Sequence, residues 1–221
     1  VLLDVSHTVG NTVSGCYLGI DPTGTFAVTN GVCPVQISGG AVSNVIGGTT
    51  LDARNVIGGG VYQGLAIRDA GTRFNTVSGN YIGLNAAGTA ALPNGYAGIE
   101  IFNGAQSNLI GGYTASARNV ISGNSLQGIL VSDPATSGNI IAGNYIGLNP
   151  GGTVAVANGW SGVEISGAAA ANICGLANVS AGKGQNGVLI NDVSNNLVQA
   201  NWIGLNAAGT GAVGNGWAGV D

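Results

Sequence analysis

The sequence repeats itself every 64 residues, and that period constrains the fold more than any other feature. The segment TVSGNYIGLNAAGTAALPNG begins at Thr76, and GNIIAGNYIGLNPGGTVAVANG repeats it around Tyr145. VQANWIGLNAAGTGAVGNG repeats it again around Trp202, and a diverged copy, TVSGCYLGIDPTGTFAVTNG, surrounds Tyr17. The aligned aromatics Tyr17, Tyr81, Tyr145 and Trp202 are 64, 64 and 57 residues apart. A second motif interleaves with the first, as SNVIGGTTLDARNVIGG near Asn44 and SNLIGGYTASARNVISGN near Asn108. Its third copy, ANICGLANVSAGKGQNG, is shortened, which accounts for most of the shorter last interval. Periods of this kind belong to stacked-repeat architectures, in which no unit buries its apolar face alone.

Each 64-residue unit splits into two coils. Asn11, Asn44, Asn75, Asn108, Asn139, Asn172 and Asn196 stand at steps of 33, 31, 33, 31, 33 and 24 residues. Every coil carries three short apolar runs, such as TVSG, NYIGLN and AGIEIF, or NLIGG, NVISGN and GILVSD. They alternate with period two, are rich in β-branched residues and are bounded by Gly or Asn, which is strand patterning. Helical spacing is missing. Three strands per coil over about seven coils give an all-β parallel β-helix, a single solenoid over residues 1–221 with repeat units of 11–74, 75–138, 139–195 and a partial 196–221. At about 4.8 Å per coil the stack is roughly 33 Å tall. Val77, Ile82, Leu84, Ile99 and Ile101 are expected to face inward in one coil, and Ile110, Ile121, Ile129 and Val131 in the next. Asn80, Asn144 and Asn201 are expected to form a side-chain ladder that intervening coils interrupt. The AAGTAALPNG and YTASAR segments leave the core as loops. Strict hexapeptides are absent, which favours a right-handed coil.

Composition narrows the function classes. Charged residues are 6% of the chain, the net charge is −4 and no basic cluster exists, so nucleic acid is not an expected partner. No apolar run is long enough for a membrane-spanning helix, so membrane insertion is not expected either. Gly supplies 42 residues, but without the triplet period of collagen. The chain starts at Val1 and stops within a strand pattern, so it is expected to be a segment of a longer protein.

The strings GNYIGLNAAGTAALPNG, SNLIGG, ARNVISGN and GILVSD resemble the right-handed parallel β-helix repeats of large bacterial secreted and cell-surface proteins. The resemblance covers essentially the whole chain. It implies an elongated extracellular or cell-surface scaffold and no shared catalytic motif. Pectate lyases, polygalacturonases and phage tailspikes share the architecture, but fold alone does not transfer their activity.

The candidate site residues follow the repeat. Gln36, Glu100, Glu164 and Asp221 occupy one position, pointing outward between inward apolar neighbours. Two coils separate successive members, about 9.6 Å, at the upper edge of the carboxylate spacing of inverting glycosidases. Tyr96, Trp160 and Trp217 each stand four residues before an acid. Flat rings beside carboxylates suit sugar rings, and they equally suit pinning a loop to the wall. The recurring acids equally suit a solvated surface. Asp69, Asp133 and Asp192 form a second recurring column, in turns. Cys16 and Cys33 flank one loop and either close it by a disulfide or stay as thiols; Cys174 takes an inward position. His7 is the sole histidine, and no metal-ligand spacing, cofactor motif or catalytic constellation is visible. The leading expectation is a non-enzymatic structural or adhesive scaffold, stacking end to end or meeting surface glycans. The alternative is a carbohydrate-binding or polysaccharide-cleaving β-helix.

Overall fold

The computed structural model describes residues 1–221. It is a right-handed parallel β-helix of about seven coils, each coil giving one strand to each of three seven-stranded sheets. The first sheet stacks Leu2–Leu3, Val35–Ile37, Leu65–Arg68, Ile99–Phe102, Ile129–Val131, Val163–Ile165 and Val188–Ile190. The second stacks Thr12–Val13, Val45–Gly47, Thr76–Ser78, Leu109–Gly111, Ile140–Ala142, Ile173–Gly175 and Leu197–Gln199. The third stacks Tyr17–Leu18, Val56–Ile57, Tyr81–Ile82, Val120–Ile121, Tyr145–Ile146, Val179–Ser180 and Trp202–Ile203. Every pairing between these strands is parallel and in register, so like residues sit on like: Ile46 on Val77 on Ile110 on Ile141 on Cys174. No helix is long and apolar enough to cross a membrane.

The alternation of strand side chains divides the apolar residues into two cores. The inner one fills the space between the three sheets and holds Val77, Ile82, Ile99, Ile101, Ile110, Ile121, Ile129 and Val131, all with no exposed surface. Leu84 is the exception among the residues expected to face inward. It is fully buried, but in a second core with Tyr81, Tyr145, Leu148, Ile20 and Val179. This core lies where the long loop folds back, through the antiparallel bridges Leu84–Ala91 and Leu148–Ala155. The loops of alternate coils stack on each other. Ala86 N–H donates to Gly24 O at 2.9 Å and Ala207 N–H to Gly152 O at 2.8 Å. Gly88, with φ +69°, must be glycine here: a Cβ would collide with the Pro150 ring.

Asparagine ladders close the corners. In the first, the Asn75 side-chain amide donates to Asn108 Oδ1, Asn108 to Asn139 and Asn139 to Asn172, each at 3.0 Å. Each Oδ1 also accepts a backbone N–H from the coil below, as Asn108 Oδ1 does from Asn75 N at 3.0 Å. The second ladder runs Asn55, Asn80, Asn119, Asn144, Asn178 and Asn201. The expected interruption at intervening coils does not occur, because Asn55, Asn119 and Asn178 fill them. A third ladder links Asn94, Asn124 and Asn158 at 2.9 and 3.0 Å. It stops at Lys183, which occupies the next rung and is only 4% exposed. Lys183 Nζ donates instead to the carbonyls of Ala181, at 2.7 Å, and Ile146. Burial alone holds its pKa well below the usual lysine value.

The thiols are unpaired. Cys16 takes a rung of the second ladder, its N–H donating to Asn55 Oδ1 at 2.9 Å and its thiol to Ser14 O at 3.2 Å. Cys33 lies at a different corner, just before the first sheet. The Cys16–Cys33 disulfide is therefore not formed; the two residues belong to separate corners of the coil. Cys174 is buried in the inner core between Ile141 and Val198, and burial pushes its thiol up to about 12.

Candidate functional site

Strand register on the first sheet sets one outward column: Gln36, Ala66, Glu100, Leu130, Glu164 and Leu189. The Val188–Val220 bridge carries the column on to Asp221. The acids thus occupy one repeat position, as the sequence indicates, and Leu130 separates Glu100 from Glu164. Glu100 is not a solvated surface charge. It is 8% exposed and accepts a hydrogen bond from the Gln63 side-chain amide. Glu164 is half-buried and accepts from Gln127 Nε2 at 2.8 Å. Asn186 makes the corresponding, longer bond to Asp221 at 3.4 Å. Burial raises the Glu100 pKa above its ordinary value; the Gln63 bond opposes this, Asp133 adds to it and Arg68 opposes it. Burial and the charges of Glu100 and Glu164 raise that of Tyr96.

Gln63, Gln127 and Asn186 are partners of the candidate acids that the pattern of acids and aromatics does not mark. Their signal lies in YQGLAI, LQGILV and QNGVLI, where an amide precedes the Gly that opens each intervening strand. Gln127 is 7% exposed and its Oε1 has no partner; the buried Ser161 hydroxyl, one coil along the same corner, has none either.

The aromatics form a stripe beside this column. Backbone bonds run Tyr62 N–H to Val32 O, Tyr96 to Tyr62, Leu126 to Tyr96, Trp160 to Leu126, Gln185 to Trp160 and Trp217 to Gln185. The stripe is therefore one residue per coil, with Leu126 and Gln185 between the three aromatics seen in the repeat and Tyr62 one coil before Tyr96. Trp160 is 40% exposed, Trp217, in the last coil, 73%, and Tyr96 is half-buried.

The two acids stand two coils apart, about 9.6 Å, on a wall whose clefts all lie elsewhere. Carboxylates can accept hydrogen bonds from hydroxyls, and exposed rings can stack on flat apolar faces. Asp69, Asp133 and Asp192 sit in turns with φ of 78°, 74° and 51°, and Asp69 pairs with Arg68 at 3.1 Å. The Asp69 carboxylate also accepts from Asn103 Nδ2 at 2.7 Å. His7 is exposed. No group of three or more His, Cys, Asp or Glu side chains is placed to hold a metal ion. No protein-family model, curated protein or solved structure matches the chain.

Proposed function

We propose that this chain is a non-enzymatic structural and adhesive section of an extracellular protein, of the kind carried on bacterial surfaces. The observation that carries the reading is the recurrence of one packing solution in every coil, down to the buried asparagine rungs. Such a wall holds its shape over its length and presents the same outward columns repeatedly. The resemblance of GNYIGLNAAGTAALPNG and its companion strings supports the extracellular setting. End-to-end pairing with further copies belongs to the same reading, since parallel strands stacked in register pair readily along the axis. The test of the non-enzymatic reading is release of reducing ends from a panel of polysaccharides. None is expected; turnover that disappears in Glu100→Gln or Glu164→Gln would overturn it. Electron micrographs test the pairing: rods longer than one chain support it, and uniform short particles count against it.

The exposed stripe beside Glu100 and Glu164 favours a second reading, a carbohydrate-binding face. Retention on immobilised polysaccharide that is lost in a Trp160→Ala/Trp217→Ala variant supports it. Retention unchanged in that variant removes it.

A further inference from the structure

The chain has nine acidic and five basic residues, yet one cleft is lined by two arginines and no acid. This cleft, of about 270 Å³, lies between the short loops of two repeats, at the corner between the second and third sheets, whereas Glu100 stands on the first. Arg54 and Arg118 line it with Thr49, Thr50 and Ser116. Each guanidinium is fixed twice. Arg54 Nε donates to Gly79 O at 3.3 Å and its plane lies 4.1 Å from the Tyr81 ring centre. Arg118 Nε donates to Gly143 O at 3.2 Å and lies 3.9 Å from the Tyr145 ring centre. These contacts use one N–H and one face of each group. The remaining N–H donors of both have no protein acceptor, and neither arginine has an ion-pair partner; the molecule's single ion pair is Arg68–Asp69. A guanidinium held rigid with a free fork is built to receive an oxyanion bidentately.

The two arginines occupy equivalent repeat positions, two coils apart, so they present charge at about 9.6 Å spacing along the axis. The groove does not end at the cleft. Arg118 also lines two adjoining hollows, one with Tyr113 and Thr114 and one with Tyr145 and Trp202. Tyr113 and Trp202 are both exposed. Charge at intervals, hydroxyls and exposed rings along one groove suit a polymer of sugar rings bearing acid groups.

We propose that this groove binds an acidic polysaccharide, with its carboxylate or sulfate groups seated on Arg54 and Arg118. The site is separate from the Trp160 face and stands whether or not that face binds glycans. The test is calorimetry with polygalacturonate, dextran sulfate and neutral dextran. The protein is expected to bind a charged polymer and not the neutral one, with affinity falling as salt is raised. Binding of polygalacturonate alone identifies carboxylate as the ligand group, and of dextran sulfate alone, sulfate. An Arg54→Gln/Arg118→Gln variant is expected to bind about tenfold more weakly or worse, through the loss of charge-assisted bonds. The titrations are repeated in a Trp160→Ala/Trp217→Ala background, which takes the other candidate glycan face out of the reading. In that background, absence of binding, equal binding of neutral dextran, or salt-insensitive binding would overturn the proposal, whatever the double arginine variant does to folding. So would undiminished affinity in that variant once its circular dichroism melt shows it folded.

Discussion

The first and third asparagine ladders solve the same problem with different success. In the first, Asn108 uses all its polar atoms: Oδ1 accepts from Asn75 N and Nδ2, and its own Nδ2 donates to Asn139 Oδ1 and Thr72 O. In the third, Asn158 meets Lys183 where a further rung would be, and its Nδ2 keeps only the bond to Ile121 O at 3.0 Å. The lysine brings its amine into a buried corner that offers two carbonyls and no acid. An identical neighbour satisfies a buried amide completely, and a different one leaves both groups short. That is why this fold is so repetitive: each coil is the hydrogen-bonding environment of the next.

Breaking the complete ladder should have the largest effect. Asn108→Ala leaves partners above and below without acceptor or donor, and is expected to cost about 3 kcal/mol or more, read from urea unfolding. Repairing the incomplete ladder works in the opposite direction. Lys183→Asn is expected to stabilise the protein by about 1–3 kcal/mol in the same assay. It should also change the pH profile. Between the depressed folded value and the ordinary lysine value of 10.5, the unfolded chain holds a proton that the folded chain does not. Stability of the unaltered protein therefore rises with pH across that window, and Lys183→Asn should remove the rise.

A milder form of the contrast lies on the outer face. Glu100 is nearly buried with one amide partner, and its raised pKa means the folded state keeps a proton that the unfolded state has released. Its contribution to stability falls as pH rises from the ordinary value of 4.5 through the raised one. Glu100→Gln should flatten that fall in a denaturation series across mildly acid pH. The smallest effect is expected where a ladder lacks only its last rung. Cys16→Asn would place an amide against Asn55 and add about 0.5–1 kcal/mol, visible as a small rise in urea midpoint.

The architecture was legible because the 64-residue period and the three runs per coil survive divergence. The ladders were legible only in part, for a geometric reason. Between successive rungs of the first ladder the chain makes one excursion, either the long loop after Tyr81 or the short one before Val120. The spacing therefore stays near 33 and 31 residues. Between Asn80 and Asn119 both excursions fall in one interval, giving spacings of 25 and then 39, and the regularity disappears from the sequence. Leu84 was misplaced because period-two patterning marks it as buried without saying in which of two cores. The acids and aromatics of the first sheet were found at their positions, since register follows the repeat. Their burial and their amide partners were not, because Gln63 reaches Glu100 across a coil boundary, 37 residues away. The Arg54 and Arg118 cleft depends on loops meeting across two coils, which no local pattern encodes.

The central claim is that identical stacked side chains, each satisfying the next, hold the solenoid together. Hydrogen exchange of side-chain amides in protein labelled with ¹⁵N-asparagine tests it most directly. The amides of Asn75, Asn108 and Asn139 should exchange slowly, and that of Asn158 markedly faster. Equal rates at all four, or faster exchange in the complete ladder, would contradict the account.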